Sequence, residues 1–530
     1  MNNGKICVSI CAETADELIE QIKRAEDLAD VIEIRFDCLE ENEAKKMLNN
    51  LVSLRQKIGK PFLITFRPKE QGGKRELDYI QDRIGFWLFC CEIREMDFVD
   101  IEFDLFCDEG HNWKLHELKN SQFICSYHNF KQTYKRLNNL YQTLSKTKLK
   151  FTVSKKNSDV IKAKIENCII KIATQTHDIT ESLAVWELLK FAKHNHRSVI
   201  PIAMGEAGKW TRILGLAHGA FMTYAALDAG QETAPGQVSV KDLREVYRAK
   251  ELDENTEVYG ILAGNTVYSM SPFIHNAAFK FHNLNAVFVP LQVQNLDEFM
   301  RRMVKPQTRE VELNFKGFAV TIPHKQNIIK HLDYLDETVE KIGAVNTVKI
   351  IDGKFYGYNT DAHGFVEPLL NSYGDLGGAK VAVLGAGGAA RACVYALKQE
   401  GAEVTIFARD LAKAKLLADE FKANSERFKV QNENYNEFDV LVNTTPLGTK
   451  GELENQSIAV AGQIESVKLV YDLVYNPFQT RLMTEADKTN VPKIGGIAML
   501  IAQAMRQQKI WTGKDAPMRE MSRAVLERLR

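Results

Sequence analysis

Over the first 237 residues, short apolar runs alternate with stretches of helical periodicity. The runs at 6–11, 31–37, 61–67, 98–104, 122–128, 168–174, 198–204 and 220–226 have the length of strands. Eight strands alternating with helices predict a (β/α)8 barrel. A ninth candidate, 149–154, lies in an unusually long stretch between His128 and Lys171, so 148–165 is read as an insertion. Residues 239–255 read as a charged, helical connector, without the Gly/Ser richness of a flexible linker.

The pattern then resumes. Val258-Tyr-Gly-Ile-Leu262, Phe318-Ala-Val-Thr-Ile-Pro-His-Lys325 and Gly343-Ala-Val-Asn-Thr347 each contain a short strand. Val381-Ala-Val-Leu384 reads as a buried parallel strand. It breaks into Gly385, Ala386, Gly387 and Gly388, and a helix begins near Ala389. Glycines let the backbone approach a pyrophosphate, and the free N–H groups of a new helix favour its charge. The spacing Gly385, Gly387, Ala390 fits a dinucleotide turn in the required strand–turn–helix context. Val404-Thr-Ile-Phe407 follows and ends in Ala408-Arg409-Asp410. An NAD site places an acid at that tip, whereas Arg409 suits the 2′-phosphate of NADP.

Polar residues interrupt the barrel strands in a regular way. In Val31-Ile-Glu-Ile-Arg-Phe-Asp37 the charged Glu33, Arg35 and Asp37 share one face. Charges in a strand buried on both faces are costly unless paired or used. Arg67 and His128 end their runs, and Lys171 lies inside Ile169-Ile-Lys-Ile-Ala173. A buried lysine loses solvation, its pKa falls, and its neutral amine can attack a ketone to form a Schiff base. The pattern equally allows a lysine that snorkels to the barrel rim or pairs with Glu33.

Further along, Ser269 and Ser271 precede a helix start at Pro272. They suit either simple caps or a carboxylate site. Lys325 and Asp361 stand far apart in sequence, and singly each reads as a surface charge.

Composition narrows the classes. The chain has 530 residues, with 69 Lys plus Arg against 69 Asp plus Glu. Zero formal charge argues against a nucleic-acid or anionic-membrane partner. No apolar run is long enough to span a bilayer. A strand-like run begins within a few residues of Met1, so no signal or transit peptide is expected. The nine cysteines form no C-x-x-C pair and sit mostly in apolar runs, so a reduced, cytoplasmic protein is expected. His111 and His116 lack a supporting carboxylate or thiol framework, so no metal is expected.

Six motifs in order then resemble the type I 3-dehydroquinate dehydratases: Glu33-Ile-Arg35, Thr65-Phe-Arg-Pro-Lys with Gly72-Gly73, Ser126-Tyr-His128, Lys171-Ile-Ala173, Met204-Gly205 with Arg212, and Ala234-Pro-Gly-Gln237. The resemblance implies that Lys171 forms the Schiff base and that His128 takes the α-proton and later helps expel the hydroxyl as water. It implies that Glu33, Arg35, Arg67, Arg212, Thr233 and Gln237 hold the substrate. Gln71 stands where the family commonly has a Glu that orients the histidine, with Glu70 one place earlier. Thr233 replaces the usual Ser.

From residue 256 onward the chain resembles shikimate dehydrogenase. The motifs are Ser269-Met-Ser-Pro-Phe-Ile-His-Asn276, Thr321-Ile-Pro-His-Lys325, Gly343-Ala-Val-Asn-Thr347, Asn359-Thr-Asp361 with Gly364, the glycine turn, Asn443-Thr-Thr-Pro446, Asp472-Leu-Val-Tyr-Asn-Pro477, and Gly495-Gly496 with Gln503. The resemblance implies that Lys325 protonates a carbonyl oxygen and Asp361 positions it. Ser269, Ser271, Thr321, Asn346, Tyr475 and Gln503 would bind substrate. Gly385, Ala386, Gly387, Gly388, Ala389, Arg409, Thr444 and Gly496 would bind NADP. Tyr268 replaces a common His, and Ala408 replaces a common Asn.

The expected organisation is a dehydratase barrel at 1–238, a connector at 239–255, a substrate lobe at 256–365, a Rossmann-like NADP lobe at 366–495, and a return to the substrate lobe at 496–530. The expected partners are small molecules: 3-dehydroquinate, 3-dehydroshikimate and shikimate. Two rivals remain open: a quinate dehydrogenase of the same fold, and a non-enzymatic regulator that senses quinate or shikimate.

Overall fold

The computed structural model describes residues 2–76, 80–90, 96–107, 121–146, 168–428 and 434–529. The candidate strand at 149–154, the insertion at 148–165, His111 and His116 lie outside the described residues. By internal contacts the chain divides into two units. The first holds residues 1–256, 265–267 and 289–314, and the second holds the remainder.

All eight expected barrel strands form. They are β1 (Lys5–Ile10), β2 (Val31–Arg35), β3 (Phe62–Thr65), β4 (Phe98–Glu102), β5 (Gln122–Asn129), β6 (Ile169–Gln175), β7 (Val199–Met204) and β8 (Met222–Ala226). β1 to β7 pair in sequence order and β8 returns beside β1. A backbone bond from Phe221 N to Val199 O, 2.9 Å, links the β8 and β7 ends of this ring. Inward positions divide into layers. Cys7, Val31, Leu63, Ile124, Ile169, Ile200 and Met222 form an apolar floor. One step toward the C-terminal ends, Ser9, Glu33, Thr65, Asp100, Ser126 and Lys171 are buried and polar. Functional groups gather at that end of such barrels.

β9 (Val238–Ser239) extends this sheet beside β8. The segment expected as a helical connector contains one π-helical turn, Asp242–Val246. Val240, Leu243, Tyr247, Ala249 and Leu252 are buried, so it packs as part of the first unit rather than as a solvated helix.

One expectation needs correction. Cys11 and Cys38 are not reduced core thiols but form a disulfide, with Cα atoms 5.4 Å apart. Each follows one of two neighbouring parallel strands, paired from Cys7–Val31 to Ile10–Ile34, so their exits emerge side by side. Among the described residues, Cys7, Cys168 and Cys393 are free thiols.

The second half contains two sheets. One is mixed, with order β11-β10-β12-β14-β15-β13. It comprises β10 (Glu257–Ala263), β11 (Ala286–Gln292), β12 (Asn314–Val320), β13 (Tyr334–Leu335), β14 (Thr347–Ile351) and β15 (Lys354–Tyr358). The other comprises β16 (Lys380–Leu384), β17 (Glu403–Ala408), β18 (Asn424–Arg427), β19 (Val440–Asn443), β20 (Leu469–Asp472) and β21 (Lys493–Ile494). Its order is β18-β17-β16-β19-β20-β21, and every pairing is parallel. Numbered within the sheet this is 3-2-1-4-5-6, the doubly wound dinucleotide-binding order. Val381 and Val383 pack into one core, and Ala382 and Leu384 into another. Burial on both faces explains the unbroken apolar run in the sequence.

Candidate active sites

In the barrel, residues from six strand ends and the loops beyond them line a cavity. Glu33, Arg35, Arg67, His128, Lys171, Arg212, Thr233 and Gln237 all line it. The dehydratase residues expected to bind or transform substrate are therefore in one place. Lys171 is buried and its Nζ donates to Asp100 Oδ2 at 2.8 Å. The same oxygen accepts from Arg67 Nη2 at 2.6 Å. Glu33 is not the lysine's partner. Its Oε1 accepts from Thr65 Oγ1 at 2.8 Å, and its Oε2 accepts from Ser9 Oγ.

Electrostatics favour reactive protonation states. Burial lowers the Lys171 pKa, while Asp100 opposes the fall. Burial also lowers His128 well below its ordinary value, and the cations Arg67 and Lys171 lower it further. A neutral imidazole can accept a proton. Among the described residues, His128 Nδ1 is buried without a hydrogen-bond partner. Burial pushes the Asp100 carboxyl up, but Lys171 and Arg67 outweigh it and hold the group ionised. Burial lowers Arg212 to about 10, which leaves it cationic near neutrality. Arg35 is clamped by Asp37 through bonds of 2.8 and 2.7 Å and also donates to Gly72 O at 3.1 Å. Thr233 Oγ1 donates to Gln237 Oε1 at 3.2 Å and lies 3.0 Å from Ser9 Oγ.

Asp100 escaped the sequence reading, although the signal was present. In Phe98-Val-Asp-Ile-Glu102 two carboxylates share one strand face, as Glu33 and Arg35 do in β2. Both are buried. Tyr224 was also passed over. Its ring centroid lies 4.0 Å from Lys171 Nζ.

The second unit assembles another constellation. Lys325 Nζ donates to Asp361 Oδ2 at 2.5 Å. Lys325 follows β12, and Asp361 begins a helix (Asp361–Tyr373, α2), which is preceded in the chain by α1 (Ser271–Phe281). Asn346 Nδ2 donates to Asp361 Oδ1 at 2.8 Å and lies 3.4 Å from Gln503 Oε1. Ser269 Oγ accepts from Ser271 N at 3.3 Å just before α1, although the helix's own N-cap residue, Met270, gives no side-chain cap. Tyr475 reaches the same turn through a hydrogen bond with the Met270 backbone, and burial raises its pKa. Thr321 lies in the turn ahead of Lys325, where its carbonyl accepts from His324 N at 2.8 Å.

The glycine turn stands beside this pair. Gly388 begins a helix (Gly388–Gln399, α3), and a Cβ there would sit 3.5 Å from Lys325 Cδ. Gly385 has φ +119°, and a Cβ there would fall 2.3 Å from Thr444 Oγ1. The Thr444 hydroxyl supports the turn by donating to Leu384 O at 2.6 Å. A Cβ on Gly387 would meet nothing within 4 Å, so packing does not demand glycine there. Open space over a helix start fits approach by a pyrophosphate. Gly496 opens the helix Gly496–Thr512, and a Cβ on it would fall 2.3 Å from Leu473 O.

Arg409 is exposed just past β17. Asp410 faces the other way: its Oδ1 caps the helix Leu411–Phe421, accepting from Ala412 N at 3.1 Å and Lys413 N at 3.2 Å. Arg409 thus keeps its charge available for a phosphate.

Residues 6–254 match the type I 3-dehydroquinase family. Residues 261–348 match the shikimate dehydrogenase substrate-binding domain, 369–472 the shikimate/quinate 5-dehydrogenase family, and 496–526 the shikimate 5′-dehydrogenase C-terminal domain. Over 97% of its length the chain is 32% identical to the chloroplastic bifunctional 3-dehydroquinate dehydratase/shikimate dehydrogenase of Arabidopsis thaliana, of which it covers 83%. The chain belongs to this bifunctional family. It is also 39% identical, over 50% of its length, to 94% of the shikimate dehydrogenase (NADP(+)) of Caldanaerobacter subterraneus subsp. tengcongensis. A crystal structure of a shikimate dehydrogenase in complex with NADP+ covers 53% of the chain and 98% of its own, at 35% identity and a TM-score of 0.48.

Within the bifunctional family pattern, the Gln71 departure has a structural counterpart. Gln71 lines the barrel cavity, but its Nε2 donates to Asp104 Oδ1 at 3.3 Å. Glu70 is exposed and does not line the cavity. Tyr268 is 53% exposed, so no packing constraint holds a particular side chain there. Among the described residues no helix is long and apolar enough to cross a membrane, and no cluster of His, Cys, Asp or Glu could hold a metal ion.

Proposed function

We infer that the protein catalyses two successive reactions: dehydration of 3-dehydroquinate in the barrel, then reduction of 3-dehydroshikimate to shikimate with NADPH in the second unit. One observation carries the reading. Each unit sets a lysine of low solvent exposure against one aspartate, Lys171 with Asp100 and Lys325 with Asp361, inside a shell of hydrogen-bonding groups.

In the barrel, the Lys171 amine attacks the substrate ketone, and the resulting cationic imine acidifies the neighbouring C–H. Neutral His128 takes that proton, then returns it to the departing hydroxyl, which leaves as water. Arg35, Arg67 and Arg212 offer cationic donors to the substrate carboxylate and hydroxyls, and Glu33, Thr233 and Gln237 complete the polar lining.

In the second unit, Lys325 donates a proton to the substrate carbonyl oxygen, and Asp361 orients Lys325. Ser269, Ser271, Thr321, Asn346, Tyr475 and Gln503 supply hydroxyls and amides for the substrate's carboxylate and hydroxyls. NADPH, when bound, supplies the hydride. The turn from Gly385 to Ala389 offers backbone N–H groups to its pyrophosphate, Arg409 offers its guanidinium to the 2′-phosphate, and Thr444 and Gly496 shape the neighbouring loops. We place both reactions in the cytoplasm, in keeping with the free thiols of Cys7, Cys168 and Cys393.

Steady-state assays with dehydroquinate, quinate and shikimate, each with both nicotinamides, test the reading. Lys171→Ala should lose dehydration by orders of magnitude and keep near-normal NADP-dependent shikimate oxidation. Lys325→Ala should lose roughly 10²–10⁴-fold in hydride transfer and keep dehydration. Loss of both activities in either soluble, folded variant would contradict two independent sites.

A further inference from the structure

Every charged or titratable group around Lys171 has an assignment except two. From the strands and strand ends that surround it, the lysine is faced by Cys7, Glu33, Arg67, Asp100, His128 and Tyr224. Glu33 is occupied by two hydroxyl donors, Ser9 and Thr65. Cys7 is a buried thiol whose pKa burial raises, so it carries no charge. Arg67 and His128 have substrate roles in the reading above. Asp100 and Tyr224 remain, and both are in contact with the lysine nitrogen, at 2.8 Å from Oδ2 and 4.0 Å from the ring centroid.

We propose that Asp100 and the ring face of Tyr224 form a counter-ion cage that holds the cationic nitrogen of Lys171 both before and after it joins the substrate ketone. The proposal rests on the Schiff-base reading of Lys171. Its chemistry balances without another reactant. A lysine ammonium and a ketone give an iminium and water. The nitrogen bonds to the carbonyl carbon, two of its hydrogens leave with the carbonyl oxygen, and one N–H and one positive charge remain. The charge at the nitrogen is therefore the same at both ends of the step. A carboxylate placed to pair with the ammonium also pairs with the iminium, through the remaining N–H. In a site without bulk water such a fixed anion acts strongly on a neighbouring cation.

Three features separate this role from simple support of Arg67. Asp100 uses one oxygen, Oδ2, for both Arg67 and Lys171, so it touches the atom that reacts. Its other oxygen, Oδ1, is buried without a partner among the described residues, so none of them locks the group into the scaffold through that oxygen. The Tyr224 hydroxyl is also buried without a partner among the described residues, and the face the ring turns to Lys171 is its contribution to the site. Cation–π contacts stabilise a desolvated cation.

The test uses the full chain. In the wild type, borohydride with dehydroquinate should leave a reduced adduct on Lys171, found by peptide mass. Absence of that adduct would defeat the Schiff-base reading itself, whatever Asp100 does. With the adduct established, Asp100→Asn should lower the dehydratase kcat by about 100-fold or more. It should also move the acid limb of kcat/KM to lower pH, because Lys171 and His128 both lose the anion that raises their pKa. A purely structural aspartate would reduce stability without moving that limb. Tyr224→Phe keeps the ring and should stay within about twofold of wild type, with an unmoved limb. Tyr224→Leu removes the face and should cost roughly 3- to 30-fold in kcat. Asp100→Asn leaves two cations short of their anion, so thermal unfolding is measured alongside. If that variant does not fold, Tyr224→Leu decides. The proposal is overturned by a folded Asp100→Asn with kcat near wild type and an unmoved acid limb, or by Tyr224→Leu with unchanged kcat.

Discussion

Asn346 grips Asp361 on the oxygen that Lys325 does not use. Its Nδ2 donates to Asp361 Oδ1 at 2.8 Å, while Oδ2 accepts from Lys325 Nζ at 2.5 Å. Asn346 is itself held, because its Oδ1 accepts from Thr360 N and Thr347 Oγ1, each at 2.8 Å. A carboxylate fixed from both ends presents one orientation to its lysine. Asn346→Ala should free it and leave a buried oxygen unpaired, a loss of about 1–3 kcal/mol, or roughly 5- to 150-fold in shikimate oxidation. The dehydratase rate in the same preparation should be unaffected. Unchanged shikimate oxidation would mean that Lys325 alone orients Asp361.

We propose that Arg409 sets cofactor choice through a phosphate that NAD lacks. Charge-assisted bonds of this kind contribute roughly 1.5–3 kcal/mol, or about 10- to 150-fold in affinity. Arg409→Ala should weaken NADPH by that factor and leave NADH nearly unchanged. Asp410 is turned into the start of its own helix, so it should not compensate. Equal losses for both nicotinamides, measured by KM and direct binding, would remove Arg409 from the site.

Gln71 lines the cavity that holds His128 but bonds to Asp104. A glutamate there would face the Asp104 carboxylate and be repelled toward the cavity. Gln71→Glu should remain active and shift the acid limb of the dehydratase profile to higher pH, because a nearby carboxylate favours the imidazolium. An unmoved limb would mean that position 71 does not act on His128.

His275 predicts how the second unit responds to acid. It is fully buried, packs on Phe288 and Trp511, and its Nε2 lies 3.1 Å from Gln507 Oε1. Burial lowers its pKa from 6.5 to about 4. The unfolded chain therefore takes up a proton below pH 6.5 that the folded protein refuses until about pH 4. Stability should be fully present above 6.5, fall as the pH drops through that window, and level off below it. The loss should approach roughly 3 kcal/mol. Urea midpoints read by dehydrogenase activity, at pH 7 and near pH 4.5, would measure it. His275→Phe should be less stable at pH 7 yet show a flatter pH dependence. An equal slope in both proteins would assign the acid sensitivity to other groups.

The strand expected at 343–347 begins only at Thr347, but the amino-acid sequence by itself determined the eight barrel strands, the glycine turn and the inventory of reactive side chains. The reason is that these are written in local periodicity. A strand buried on both faces must be apolar throughout, so β2, β6 and β16 stand out, and any charge within them marks a site, as Glu33, Arg35 and Lys171 do. A left-handed Gly385 before a helix is equally local.

Pairing is not local, and the tertiary structure alone decided it. Lys171 could have paired with Glu33, which shares its polar layer. Ser9 and Thr65 occupy that carboxylate, so Asp100 on β4 takes the lysine instead. Lys325 and Asp361 read as isolated surface charges until β12 and the start of α2 bring them to 2.5 Å. Cys11 and Cys38, 27 residues apart, became partners because parallel neighbours end together. Periodicity along a chain says which way a side chain points. Only the packing of one strand against another says what it meets there, and the chemistry of both sites depends on that meeting.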